Sequence, residues 1–149
     1  MGLGIWLVCG AVCVSTERDS DAPIAPIKNA PIELDEFNFH QTTSELSGLV
    51  LVFFTGPHCA SCHHLRDIFT DNIQILEKHF LKNSLNFNVF EIKADKAGAL
   101  VNEFNVFHLP SLFLYLEGQY HCELQTQAHP QKIIEAIELA LSKPAEEEP

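Results

Sequence analysis

Basic residues are scarce in this chain: 9 Lys and Arg stand against 20 Asp and Glu, a formal charge of -11 over 149 residues. Nucleic acids and anionic membrane surfaces both need clustered cations, so neither is expected as a direct partner. Long apolar runs are missing as well. The longest, Gly2 to Val14, spans about 13 residues, short of the roughly 20 that a spanning helix requires. Cysteine is sparse. Five is too few for a disulfide-stapled scaffold, and the odd number leaves at least one without a partner inside the chain. Methionine is confined to Met1.

The run at residues 1–14 suits the core of a signal peptide or a membrane tether, although no Lys or Arg precedes it. Lipidation at Cys9 or Cys13 fits poorly, because Leu7-Val8 and Ala11-Val12 do not form a small-residue cleavage pattern. Myristoylation at Gly2 is disfavoured by Trp6. The reading that follows is an extracytoplasmic protein, periplasmic or membrane-anchored; a cytoplasmic one stays open. Residues 15–31 form a Pro-rich linker with Ala-Pro-Ile units starting at Ala22, Ala25 and Ala30, where proline blocks helix and favours extended chain. Residues 143–149 form an acidic tail, read as a solvated end.

Between them, residues 32–142 alternate strand and helix patterns, the signature of one α/β domain with a modest core. A short element covers Ile32 to Phe39, followed by a helical stretch near Gln41 to Leu46. The β-branched and aromatic run Leu49 to Phe54 predicts a buried strand ending at the turn Gly56-Pro57. From Ala60 to Lys82, Leu65, Ile68, Phe69, Ile73, Leu76 and Phe80 recur at helical spacing. A strand at Phe87 to Ala94 precedes a helix to Phe104, with Asp95 as its expected N-cap. Leu112 to Leu116 and Tyr120 to Leu124 predict a hairpin around Glu117-Gly118. Pro130 opens a last helix that runs to Ser142 and buries Ile133, Ile134, Ile137 and Leu141.

The chemistry concentrates at Cys59-Ala60-Ser61-Cys62, where the strand meets the helix. Two thiols so spaced at a helix start can close a small disulfide ring. The first faces the positive end of the helix dipole, which favours its thiolate. That suits thiol–disulfide exchange, in which one thiolate attacks a partner's sulfur and a second thiol resolves the mixed disulfide.

The strand, the Cys59–Cys62 motif on a helix start and Leu109-Pro110-Ser111 before the hairpin together resemble the thioredoxin family over roughly residues 35–142. The resemblance implies a three-layer fold, a mixed central sheet with helices on both faces. It makes Cys59 the exposed nucleophile, Cys62 the buried resolving thiol and Cys59–Cys62 the redox-active disulfide. It makes Pro110 a cis-proline packed against that disulfide, with the backbone of Leu109 and the neighbouring His58 meeting an extended substrate segment. The implied partners are protein thiols or disulfides and a protein that recycles the pair. No cofactor is needed.

Departures from the family are equally informative. Phe53 stands where the family usually buries an acid, six residues before the first cysteine. Glu91 stands where it often places a lysine, four residues before Asp95. Glu91 is therefore expected to supply the proton-handling carboxylate from the neighbouring strand, with a solvent-facing strand residue as the alternative. His58 replaces the usual tryptophan, and as a cation would favour the Cys59 thiolate. Thr126 replaces a common glycine. Three other readings compete. His58, Cys59, Cys62, His63 and His64 offer donors for copper or zinc, though His63 and His64 diverge by roughly 100° on a helix. Cys59 to His63 fits c-type haem attachment, poorly served by a strand-to-helix setting. A redox-silent binding module would need neither cysteine. Cys122 is expected to be a small buried hydrophobe, with a third redox thiol as its alternative.

Overall fold

A computed structural model describes residues 31–125 and 128–149. The leader, all of the linker but Pro31, and Thr126 lie outside the described residues. The elements run β1 (Ile32–Leu34), α1 (Phe39–Glu45), β2 (Leu49–Thr55), α2 (Ala60–Leu81), β3 (Phe87–Lys93), a 3-10 turn (Ala94–Lys96), α3 (Gly98–Glu103), β4 (Ser111–Leu116), β5 (Gln119–Leu124) and α4 (Pro130–Leu141). The strands form one sheet in the order β1-β3-β2-β4-β5. β1 and β2 run parallel to β3, β4 is antiparallel to β2, and β5 is antiparallel to β4. The sheet is mixed and carries helices on both faces.

Every residue of β2 is buried, as a central strand covered on both sides must be. Its alternate residues feed two separate cores. Leu49, Leu51 and Phe53 join Leu65, Phe69, Leu76 and Ile137 from α2 and α4. Val50, Val52 and Phe54 face the opposite way, with Phe39, Leu100 and Phe104 around α1 and α3. α2 holds to its predicted apolar face, burying Leu65, Ile68, Phe69, Ile73, Leu76 and Phe80. Phe53 meets Phe69 at a centroid distance of 5.1 Å, and Phe80 stacks on Phe87 at 5.5 Å.

Three boundaries differ from the sequence reading. Only Ile32–Leu34 of the first element is strand. The chain then turns at once, because Asp35 Oδ1 accepts from the Phe37 and Asn38 amides while Asn38 Oδ1 accepts from the Asp35 amide. That turn starts α1 two residues early, at Phe39. Asp95 is not a helix cap. It lies inside the 3-10 turn, and α3 begins at Gly98 after Ala97. Its amide of Ala99 is met instead by Glu36 Oε2 at 3.1 Å, a partner distant in sequence. The tail is exposed, as read, and is also tied back: the Glu146 amide donates to His121 O at 2.7 Å, and the Tyr115 hydroxyl donates to Glu148 at 3.3 Å. These contacts lie beside β5, the strand at that edge of the sheet.

Candidate active site

Cys59 is the N-cap of the 22-residue helix α2. Its backbone is extended (φ -109°, ψ 103°), as an N-cap requires, and its sulfur accepts from the Cys62 amide at 3.2 Å. The first turn of α2 holds no acidic residue, so nothing there offsets the positive end of the helix dipole. Cys59 and Cys62 are joined as a disulfide, with Cα atoms 5.2 Å apart. Cys59 is partly exposed and Cys62 fully buried. Attack from outside therefore reaches one sulfur of the two.

The Leu109–Pro110 peptide bond is cis. The Ser111 hydroxyl donates to His108 O at 2.6 Å and pins this approach to β4. Pro110 is buried, while Leu109 is exposed enough to be met from outside. His58, Cys59, Asp95, Phe107, His108 and Leu109 line one open hollow of about 670 Å³. Phe107 is 88% exposed, an apolar side chain beside the redox pair that no described residue covers. The fold thus gathers His58, Cys59 and Leu109 on one surface, with Phe107 and His108 as members that sequence reasoning did not name.

Glu91 lies elsewhere, under the helix. It is directly opposite Phe53 in the β2–β3 register and only 4% exposed, so it is no solvent-facing strand residue. Arg66 Nε donates to Glu91 Oε1 at 2.8 Å, and Arg66 Nη2 donates to Oε2. The Thr55 hydroxyl adds a bond to Oε2 at 2.6 Å. Burial pushes the Glu91 carboxyl up, but the Arg66 and Thr55 hydrogen bonds and the Arg66 charge outweigh it and hold the group below its ordinary value. The same hydrogen bond raises Arg66 against the cost of its own burial. Arg66 Nη1 also donates to His63 Nδ1 at 2.8 Å. Since arginine only donates, His63 carries its proton on Nε2, which faces Pro57 O at 3.4 Å.

Arg66 and Thr55 were legible only indirectly. Phe87, Val89 and Glu91 alternate onto the face that α2 covers, and a charge in that stripe needs a buried partner. Among α2 residues near its start, Arg66 is the cation flanked by the core positions Leu65 and Ile68. His58, His63 and His64 are exposed, and among the described residues no three His, Cys, Asp or Glu side chains converge as a metal site. Cys122 is free and buried, packed with Leu124 and Ile134 in the α2–α4 core. Burial pushes its thiol up.

Comparison with known proteins bears on this geometry. The family model described as Thioredoxin matches residues 30–139. No curated protein sequence matches the chain. Among solved structures, the human ERp44 zinc-bound form is similar at 18% identity and a TM-score of 0.64, over 74% of this chain and 30% of that one. The first two thioredoxin domains of Saccharomyces cerevisiae Eps1p are similar at 22% identity and a TM-score of 0.60, over 73% of this chain and 40% of that one. A chain from a study of the thiol resolving mechanism in yeast mitochondrial 1-Cys peroxiredoxin, via glutathione/thioredoxin systems, is similar at 15% identity and 0.59, over 73% and 94%. The chain spans less than half the length of the ERp44 and Eps1p chains.

Proposed function

Because this chain belongs to the thioredoxin family, with the fold and paired cysteines of a thiol–disulfide oxidoreductase, we propose that it exchanges disulfides with protein substrates outside the cytoplasm. The observation that carries the proposal is the asymmetry of the pair: Cys59 partly exposed at a helix N-terminus, Cys62 buried behind it. The extracytoplasmic setting is supported by the apolar leader Gly2 to Val14, which also serves as the proposed membrane tether.

In the reducing direction, the Cys59 thiolate attacks one sulfur of a substrate disulfide, whose other sulfur leaves as a thiolate. A Cys59–substrate disulfide results. Cys62 then loses its proton and attacks Cys59 Sγ, the mixed disulfide breaks, and the substrate departs with its second sulfur reduced. Two electrons pass from the pair to the substrate, and a partner protein restores them. The oxidising direction runs the same steps backwards. Glu91 is proposed as the carboxylate that receives the Cys62 proton, from a buried position on β3 beneath the helix that bears both cysteines. His58 and Leu109 are proposed to meet the substrate segment, since they line the hollow that contains Cys59. Pro110, buried beside Leu109, is proposed to back that surface from beneath.

A redox titration of the chain in glutathione or dithiothreitol buffers, read by alkylation and intact mass, tests this. A reversible two-electron couple confined to Cys59 and Cys62 supports it. A potential near about -270 mV marks a reductant and one near about -120 mV an oxidant. A pair that never cycles with a protein disulfide would overturn the proposal.

A further inference from the structure

Thr55, Glu91, Arg66, His63 and Pro57 form one continuous hydrogen-bonded chain around the turn that carries the redox pair. Its members come from the end of β2, from β3, from the first turns of α2 and from the loop before Cys59. Arg66 stands at its centre. It follows Cys62 by four residues, so the two lie on one face of α2 a single turn apart.

We propose that Arg66 is a positioning residue for the resolving half of the exchange: its guanidinium clamps Glu91 as a fixed carboxylate, so that the acceptor for the Cys62 proton is always empty. This rests on the exchange activity and on Glu91 as that acceptor. Both Glu91 oxygens are engaged, in the fork geometry that arginine alone among side chains provides. The third bond, from Thr55, fixes the plane of the carboxylate against rotation. On its far side Arg66 is anchored by His63, which reaches the loop two residues before Cys59 through Pro57 O. The clamp therefore couples the state of the carboxylate to the position of the loop that presents the nucleophile.

Among the described residues the charged groups around Glu91 and Arg66 are few. From α2 come Arg66 itself and Asp67, with His63 on the far side of Arg66; from β3 comes Lys93; from β1 comes Glu33, opposite Glu91 in register and 3.8 Å from Lys93. β2 contributes only the uncharged Thr55 and the apolar Phe53. Lys93 and Glu33 are more exposed and lean on each other, which leaves Arg66, among the described residues, as the cation bonded to the carboxylate. Without it, a carboxyl this buried reverts to the behaviour that burial dictates and holds its proton at higher pH.

The test uses Arg66→Gln, Glu91→Gln and their combination in the full chain, with two readouts. The first is the carbon-13 titration of the Glu91 carboxyl in the oxidised protein, which needs no exchange activity. Arg66→Gln is expected to raise the titration midpoint by at least about one pH unit, a tenfold gain in proton affinity. The second is the pH profile of resolution of a Cys59–glutathione mixed disulfide. The wild type should show one inflection, from the Cys62 thiol. Arg66→Gln should add a second and resolve about tenfold more slowly below it. That inflection should vanish in the double variant. Arg66→Lys, which keeps the charge and loses the fork, should fall between, and it carries the same comparison if Arg66→Gln does not fold. An unmoved Glu91 titration, or a profile that changes equally in the Glu91→Gln background, overturns the clamp. A wild type that never resolves the glutathione adduct overturns the exchange reading itself, while the carboxyl titration still reports on Arg66 and Glu91.

Discussion

Phe53 and Glu91 sit directly opposite each other on β2 and β3, both buried and both on the face that α2 covers. Where the thioredoxin resemblance places an acid on β2, this chain has Phe53, and a buried carboxylate stands one strand over, at the same level of the sheet. The exchange has a physical consequence. On β2 a phenylalanine packs against Phe69 and contributes apolar burial, whereas on β3 the carboxylate comes within reach of an arginine on α2. A buried acid with two charge-assisted bonds and a hydroxyl donor is a different chemical object from an unpaired one.

The first consequence is acid sensitivity. Glu91 is held below its ordinary value in the folded protein, so the unfolded chain takes up that proton at higher pH than the folded one does. The stabilisation is therefore complete above the ordinary value of 4.5 and is lost as pH falls through the lower folded value. Glu91→Gln should lower stability at neutral pH by about 1–3 kcal/mol, since Arg66 loses its charged partner. It should also flatten the acid limb. Urea midpoints measured between about pH 6 and pH 3 check this, because the wild type should lose more than the variant. Parallel losses would mean that the carboxylate is not held.

Phe53→Asp makes the relationship between the two positions measurable. The substitution removes a fully buried ring that contacts Phe69, a change of about 3–5 kcal/mol on its own. It also places a second carboxyl opposite Glu91. Two carboxylates so close cannot both ionise, so the loss should shrink by about 1 kcal/mol or more in a Glu91→Gln background. Chemical denaturation of the four proteins gives that coupling. An additive cycle would show that the two side chains do not sense each other.

Much of this was legible in the sequence, and the parts that were not share a cause. A short continuous apolar run placed β2 and a helical period placed α2, because burial on both faces and burial of one stripe each leave a direct imprint on residue order. The motif at Cys59 and Cys62 and the step at Leu109-Pro110 were equally local signals. What failed was local in appearance and tertiary in fact. Asp95 has the chemistry of an N-cap, yet the helix begins only at Gly98, and its Ala99 amide is met by Glu36 from another part of the chain. Arg66 reads in sequence as one more polar residue on an amphipathic helix. Only the β3 register, which turns Glu91 inward, gives that arginine a buried partner. Phe107 gave no signal at all, since an exposed apolar loop residue has no period to betray it.

Glycine substitutions separate required from incidental flexibility. Gly48 has φ +79°, and a Cβ there would meet Asn86 O at 2.6 Å and Asn86 N at 2.8 Å. Its amide also donates to Glu117 Oε1 at 3.1 Å, joining the start of β2 to the β4–β5 turn. Gly48→Ala should cost about 3 kcal/mol, from left-handed strain and a clash with backbone that cannot swing aside. Gly98 opens α3 with nothing near its missing Cβ. Gly98→Ala should be neutral or stabilise by up to about 1 kcal/mol. Thermal melts of the pair give the contrast, and equal effects would contradict it.

Thiol reactivity should follow the same geometry. In the reduced protein, Cys59 is partly exposed and faces the helix N-terminus, Cys62 is fully buried, and Cys122 is only 7% exposed with its thiol pushed up by burial. Iodoacetamide at neutral pH should therefore label the Cys59 peptide first, and the Cys122 peptide only after denaturation. Cys62→Ser removes the resolving sulfur while leaving the exposed nucleophile in place. Mixed with a reducible protein disulfide, it should accumulate a covalent adduct through Cys59 that dithiothreitol releases. Cys59→Ser should form none through the pair, because Cys62, the pair's remaining sulfur, is buried where substrate cannot reach it. Adducts forming equally well through Cys62 or Cys122 would show that burial does not govern which thiol reacts, and would remove the basis for assigning the nucleophile to Cys59.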